Sequence, residues 1–192
     1  MAMQEKAEAL MGRMLKNVRS SDEKPASSPA AAAGTITVTS SAFAPNTAIP
    51  RKYTQDDRGI SPPLSWTGVP NGTRELLLVC EDPDAPIPQP CLHWIMYKIP
   101  PQAGGLPENV PQRADAGNPA GARQSRNYAG KEGYLGPRPP IGHGVHRYFF
   151  QLFALDQPLA LSGSPDKNQL LKAMQGHVLA QGELIGTYER VA

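Results

Sequence analysis

An uninterrupted apolar run, Leu76-Leu77-Leu78-Val79-Cys80, constrains the fold more than any other stretch of this chain. It is short, continuous and followed by turn residues, which is the pattern of a buried strand. The turn residues are Asp82-Pro83-Asp84-Ala85-Pro86. The prolines fix φ and remove backbone donors, so the Asp82 carboxylate is held at a strand end rather than on a mobile arm. Further on, Gly142-His143-Gly144 opens a flexible turn that runs into an aromatic strand, Val145-His146-Arg147-Tyr148-Phe149-Phe150. Strand side chains alternate, so His146, Tyr148 and Phe150 share one face while Val145, Arg147 and Phe149 share the other. If the two segments meet beside His93, a carboxylate, two imidazoles and a phenol converge on a small polar pocket.

The remaining chain reads as further strands with few helices. Thr35–Ser40 alternates apolar and hydroxyl side chains, Leu64 and Trp66 suit a short strand, and His93–Ile99 and Tyr148–Leu155 are strand-like. Asn168–Leu179 carries Leu170, Leu171, Met174 and Val178 at helical spacing, and Glu183–Tyr188 is again strand-like. Pro100–Pro140 is a long, weakly apolar stretch, and Tyr128, Tyr134 and the Gly130–Gly133 turn suggest that it is ordered over the site. There is no internal repeat and no alternation of strands with long helices, which excludes a parallel α/β sheet. The predicted fold is mainly β: an antiparallel β-sandwich with minor helices.

Three segments carry a family resemblance: Asp82–Pro86, His93 within His93-Trp94-Ile95-Met96-Tyr97, and Gly144–Tyr148. In this order and spacing they resemble the phosphatidylethanolamine-binding protein family, which includes the Raf kinase inhibitor proteins. Ser61–Trp66 and Gly186–Arg190 look like the bacterial branch. The resemblance spans roughly Thr35 to the C-terminus. It implies the β-sandwich of that family and a small anion pocket for phosphoryl head groups of lipids or phosphorylated partners, usually without catalysis. It also implies regulation of a protein partner such as a kinase.

Composition sets outer limits. A chain of 192 residues holds one domain with a real core. Its 21 Pro and 18 Gly are not periodic, and 40% hydrophobic residues exclude a collagen-like or wholly disordered chain. The net charge of +2, without a Lys/Arg cluster, argues against nucleic acid as a partner. No apolar run approaches the ~20 residues that span a bilayer. Cys80 and Cys91, with no secretory signal, read as reduced structural thiols in a cytoplasmic protein. Residues 1–34 are set apart from a domain over 35–192. Within them Met3, Ala7, Leu10, Met11, Met14, Leu15 and Val18 form an amphipathic helix, expected to pack on its own domain or on a sister subunit in a homodimer. Ser20–Gly34, rich in Ser, Pro and Ala, reads as a linker.

The candidate ligand-binding residues are Asp82, His93, Pro139, Pro140, Gly144, His146 and Tyr148, with Gly144 and the Pro139-Pro140 turn as the rim. Imidazole N–H groups, a tyrosine hydroxyl and the backbone amides of a Gly turn are directional donors suited to a phosphate or carboxylate. Asp82 is expected to fix the tautomer of a neighbouring imidazole so that its other nitrogen donates outward. Arg147, on the opposite face, is read as an ion-pair partner of Asp84, and His143 and His177 as surface or supporting residues. Trp94 is expected to point to the other face from His93. His143-x-x-His146 is not the i, i+2 spacing that puts two ligands on one strand face, so no metal is expected. No nucleophile elbow or nucleotide-binding loop is present, and no cofactor is called for. The alternative to a binding protein is an enzyme, a hydrolase or cyclase on a small metabolite, with Asp82, His93 and His146 moving protons. A third reading is an interaction protein that works through its N-terminal helix.

Overall fold

The computed structural model describes residues 2–20 and 34–191. In chain order its elements are helix α1 (Ala2–Met14) and strands β1 (Gly34–Thr35), β2 (Thr37–Thr39), β3 (Thr47–Ala48), β4 (Leu64–Thr67) and β5 (Glu75–Asp82). Then come β6 (Cys91–Ile99), β7 (Gly105–Leu106), β8 (Arg123–Gln124), β9 (His146–Leu155), helix α2 (Lys167–Met174) and β10 (Val178–Tyr188). A large sheet has the order β1-β10-β9-β5-β6-β8, with β3 also on β10, and a three-stranded sheet has the order β2-β4-β7.

The apolar run is continuous because the large sheet is covered on both faces. Leu76, Leu78 and Cys80 point into the core between the sheets, against Val38, Leu64 and Trp66 of the small sheet and Trp94, Met96, Phe150 and Leu152 of the large one. Leu77 and Val79 point the other way, into a second core closed by Leu159, Leu170 and Met174. Each fully buried Leu contributes on the order of 1.5–3 kcal/mol. Four such positions in a row, Leu76 to Val79, make β5 the spine of the fold.

The fold is mainly β, as expected, but the large sheet is mixed rather than antiparallel. Its central pairs, β5 with β6, β5 with β9 and β9 with β10, are antiparallel. β1 and β3 both run parallel to β10, along its other edge. Glycines permit that close approach: a Cβ on Gly182 would lie 1.9 Å from the Ile36 carbonyl oxygen, and one on Gly186 would lie 2.5 Å from Ile49. At Ile36 the chain leaves β10 and crosses to the small sheet, so the single strand expected over Thr35–Ser40 is split in two.

α2 begins at a capping box between Asp166 and Gln169 and stops at Met174, short of the helix expected to reach Leu179. Gly176, at φ 77°, turns the chain into β10. The long segment after β6 is held in place by side-chain bonds. Trp94 Nε1 donates to Gln124 Oε1 at 2.7 Å, Gln124 Nε2 donates to the Pro111 and Arg113 carbonyls, and the Tyr134 hydroxyl donates to the Tyr53 carbonyl.

α1 forms where helical spacing placed it, but its apolar stripe is not what packs. Met3, Leu10 and Met14 are 86%, 57% and 78% exposed, whereas Ala9 and Gly12 are buried. Small side chains let the helix backbone come against the 139–143 loop. The linker read over Ser20–Gly34 lies, apart from its two end residues, outside the described residues. Among the described residues no helix is long and apolar enough to cross a membrane.

Candidate anion pocket

Alternation along two strands places the polar cluster. Asp82 continues the Leu76-Leu78-Cys80 face of β5, and His146 and Tyr148 continue the Phe150-Leu152 face of β9. All three therefore emerge where the inter-sheet core ends. There they line a cavity of about 390 Å³ together with His93, Cys91, Leu135, Pro139 and Pro140. Gln55, Ala85, Pro86, Ile87, Tyr128, Ala129 and Arg138 complete its wall and mouth. This is the size of a small-molecule site.

His93 reaches the cavity through a β-bulge. The β5–β6 register passes from Cys80↔Trp94 to Glu81↔Leu92, which leaves His93 as the extra residue. A bulge re-aims a side chain without ending the strand. His93 and Trp94 consequently do not point to opposite faces, as simple alternation would have it. The His93 ring meets Tyr148 edge-on, with centroids 5.0 Å apart, and Trp94 meets Tyr134 in the inter-sheet core. His93 Nδ1 lies 2.6 Å from the Leu135 carbonyl oxygen. A carbonyl only accepts, so Nδ1 carries the hydrogen and Nε2 is the nitrogen available to a guest. Burial lowers the His93 pKa below the ordinary imidazole value, although Asp82 and the Leu135 bond pull the other way. The resting ring is neutral and offers Nε2 as an acceptor, and it becomes a donor only on protonation.

Tyr148 is the unsatisfied member. The residue is 1% exposed, and its hydroxyl has no hydrogen-bond partner among the described residues. Burial, then the nearby Asp82 charge, raises its pKa well above 10, so the hydroxyl keeps its proton and stands ready to donate.

His146 does not face outward as a donor. Its Nδ1 is 2.7 Å from Asp82 Oδ2, and its Nε2 is 2.7 Å from His143 Nδ1. Both ring nitrogens are taken, so the expectation that Asp82 would orient an outward-donating imidazole does not hold. The nitrogen that was to face the ligand faces another histidine. His143, read as a surface or supporting residue, has no exposed area and bonds through Nε2 to the carbonyls of Leu15 and Val18. Asp82 Oδ1 also accepts from the Asp84 backbone N–H at 2.8 Å, which closes the turn of the proline box.

Pro139 and Pro140 line the pocket, but Gly144 is not part of its wall. Gly144 instead occupies φ 113° in the turn between His143 and His146 and so lets the two rings meet. Asp84 and Arg147 form the pair read from the sequence. Nε and Nη2 of Arg147 donate to the two carboxylate oxygens at 2.8 and 2.9 Å, and the Arg147 backbone N–H adds a third bond. Burial alone would raise the Asp84 pKa, but Arg147 and Arg19 outweigh it and hold the carboxyl below its usual value. His177 lies apart, on Asp156. Arg138 and Tyr128 were missed as site residues. They sit in the weakly apolar segment, where no periodicity marks which side chain turns inward.

The model of the phosphatidylethanolamine-binding protein family matches residues 39–189. The chain belongs to the phosphatidylethanolamine-binding protein family. A UPF0098 protein of Methanothermobacter thermautotrophicus is 52% identical over 143 residues, which is 74% of this chain and 91% of that protein. Among solved structures, a phosphatidylethanolamine-binding protein homologue from Chlamydia trachomatis is 40% identical with a TM-score of 0.73, over 81% of this chain and 98% of its own. An E. coli protein, a new member of the mammalian phosphatidylethanolamine-binding protein family, is 28% identical with a TM-score of 0.74, over 80% of this chain and 98% of its own. Asp82, His93, His146 and Tyr148 all lie inside the segment shared with the phosphatidylethanolamine-binding protein family, whereas α1 lies before it.

Proposed function

We propose that this chain is a binding protein whose pocket takes a small anionic ligand, a phosphoryl group or carboxylate at its polar end. The observation that carries the reading is the Tyr148 hydroxyl, a buried donor in the cavity wall with no partner among the described residues. Leaving such a group unsatisfied costs about 1–3 kcal/mol, which a ligand oxygen recovers on binding. An oxygen at Tyr148 also lies beside His93, where a negative charge favours the protonated ring and turns Nε2 into a second donor. Arg138, exposed at the mouth, supplies positive charge, and the prolines and Ile87 supply apolar walls. The name of the matched family supports a phosphorylated head group as one member of this ligand class. The two unbridged cysteines support a reducing, cytoplasmic setting.

Binding is favoured over turnover because His146 has no nitrogen left to exchange a proton with a ligand, which leaves His93 without a second imidazole to work with. Calorimetric titration of the full chain with phosphate and phosphoethanolamine tests the proposal. Saturable binding that weakens at least tenfold in His93→Ala supports it, and no heat from either ligand at millimolar concentration defeats it.

A further inference from the structure

Residues 2–20 are fastened beside the pocket through His143, which bonds in turn to the pocket's His146. α1 rests on the 139–143 loop so closely that a Cβ on Gly12 would lie 2.1 Å from the Ile141 carbonyl oxygen. Beyond the helix, Ser20 bonds to the Ala85 and Pro83 carbonyls, and Arg19 pairs with Asp84 at 2.6 Å. Between these anchors, Leu15 and Val18 present their carbonyls to His143 Nε2 at 2.7 and 3.1 Å. Side chains of α1 and the pocket mouth also share Arg138, which borders both the cavity and a groove formed with Gln4, Ala7, Glu8 and Met11.

The hydrogen bonds run in series: Asp82 Oδ2 to His146 Nδ1, His146 Nε2 to His143 Nδ1, and His143 Nε2 to Leu15 O. Each link needs one hydrogen. The last must sit on His143, because a carbonyl only accepts. The series therefore holds three protons, with zero net charge over Asp82, His146 and His143 wherever the first two reside. While Asp82 stays ionised, its second oxygen held by the Asp84 N–H, a fourth proton places an N–H on each of the two nitrogens that face one another at 2.7 Å, and that link cannot then form. We infer that residues 2–20 form a proton-controlled latch on the pocket rim, held by the three-proton state of Asp82, His146 and His143 and released when that series takes up a fourth proton.

Of the charges on residues 2–20, Glu5, Lys6 and Lys16 are exposed. His143 is faced by His146, the first residue of β9, and by Arg19 from the latch. Through those two it is faced by Asp82 and Asp84 of the proline box. α1 adds Glu8, paired with Arg190, and Arg13, whose side chain lies against Gly142. His93 and Glu81 lie farther off, on the Asp82 side. Burial, then the His146 ring, lowers the His143 pKa and outweighs the Leu15 and Val18 bonds, which pull it up, so release belongs below the ordinary imidazole range near ~6.5. A short helix without its packing surface is marginal in water, so release is also melting. The latch operates whatever the pocket binds.

Hydrogen exchange of the full chain, corrected for intrinsic rates, tests it between pH 7.5 and pH 5.5. In wild type, protection over residues 3–18 is expected to fall at least tenfold at the lower pH while β9 stays protected. His143→Gln both donates and accepts without titrating, and is expected to hold its protection within about twofold. Loss of protection in parallel in the two proteins, or none in wild type, overturns the latch. If His143→Gln does not fold, Gly12→Leu decides, since that side chain undocks α1 sterically at any pH. Wild type at pH 5.5 reaching the exchange level of Gly12→Leu at pH 7.5 supports the latch, and wild type keeping its neutral-pH level refutes it.

Discussion

Arg147 grips Asp84 with two side-chain nitrogens and its own backbone N–H, and so ties the start of β9 to the proline box after β5. The pair lies behind the pocket, on the opposite face of β9 from His146 and Tyr148. It holds Asp82 and His146 in register without touching the cavity.

Arg147→Ala is expected to cost about 2–3 kcal/mol in urea denaturation. That is less than the ~3–5 kcal/mol of a fully buried broken pair, because Arg147 is 37% exposed and Arg19 remains on Asp84. The sign with pH follows from the lowered Asp84 pKa. Its contribution is complete above the unfolded carboxyl value of ~3.9 and disappears as pH falls through the lower folded value. The acid limb of the stability profile should be shallower in Arg147→Ala. Equal limbs in the two proteins would mean that Asp84 draws its stabilisation elsewhere.

Tyr148→Phe should act in opposite directions on stability and binding. Removing an unsatisfied buried hydroxyl leaves the free protein as stable as wild type or more so, by up to about 1 kcal/mol. The same change removes a donor to a charged ligand, worth about 1.5–3 kcal/mol, or roughly ten- to a hundredfold in Kd. Thermal melts and phosphate titrations of the two proteins check both halves. A variant that is clearly less stable would show that the hydroxyl has a partner inside the fold.

Much of this arrangement is legible in the sequence because it rests on periodicity. The face shared by His146, Tyr148 and Phe150 follows from strand alternation, and the burial of β5 follows from its unbroken apolar run. The bulge at His93 is not legible, since it depends on how β5 and β6 slip past each other rather than on either strand alone. Nor is the His143–His146 contact, because three residues of Gly-rich turn carry no fixed direction. The parallel pairings of β1 and β3 are remote in sequence, and only Gly182 and Gly186 hint at them. The apolar stripe of α1 misled for a different reason: Ala9 and Gly12 pack well because they are small, and periodicity weighs only large apolar side chains.

Sulfate affinity should rise as pH falls, since sulfate itself does not titrate in this range. The free His93 ring has a lowered pKa and the anion raises it, so binding takes up a proton between the two values. Affinity should therefore strengthen as pH drops through the imidazole range and level off below the lowered value. In His93→Gln the dependence should flatten, and a dependence unchanged in that variant would assign the proton to another group.

Both thiols should resist modification. Burial, then Asp82, raises Cys91 to about 12, and burial raises Cys80 well above its ordinary value. Little thiolate is present at neutral pH, and both residues are buried, Cys91 in the pocket wall. A thiol-reactive chromophore should label the protein only after denaturant is added. Rapid labelling of one thiol in native buffer would reveal an opening of the pocket wall at Cys91.

The most direct measurement is the NMR spectrum of the His93 ring during titration with phosphate and phosphoethanolamine. The ring carbons and protons should shift saturably toward the imidazolium position, with half-saturation moved to higher ligand in Tyr148→Phe. A His93 ring that stays neutral and unmoved at millimolar concentrations of both ligands would contradict the anion pocket.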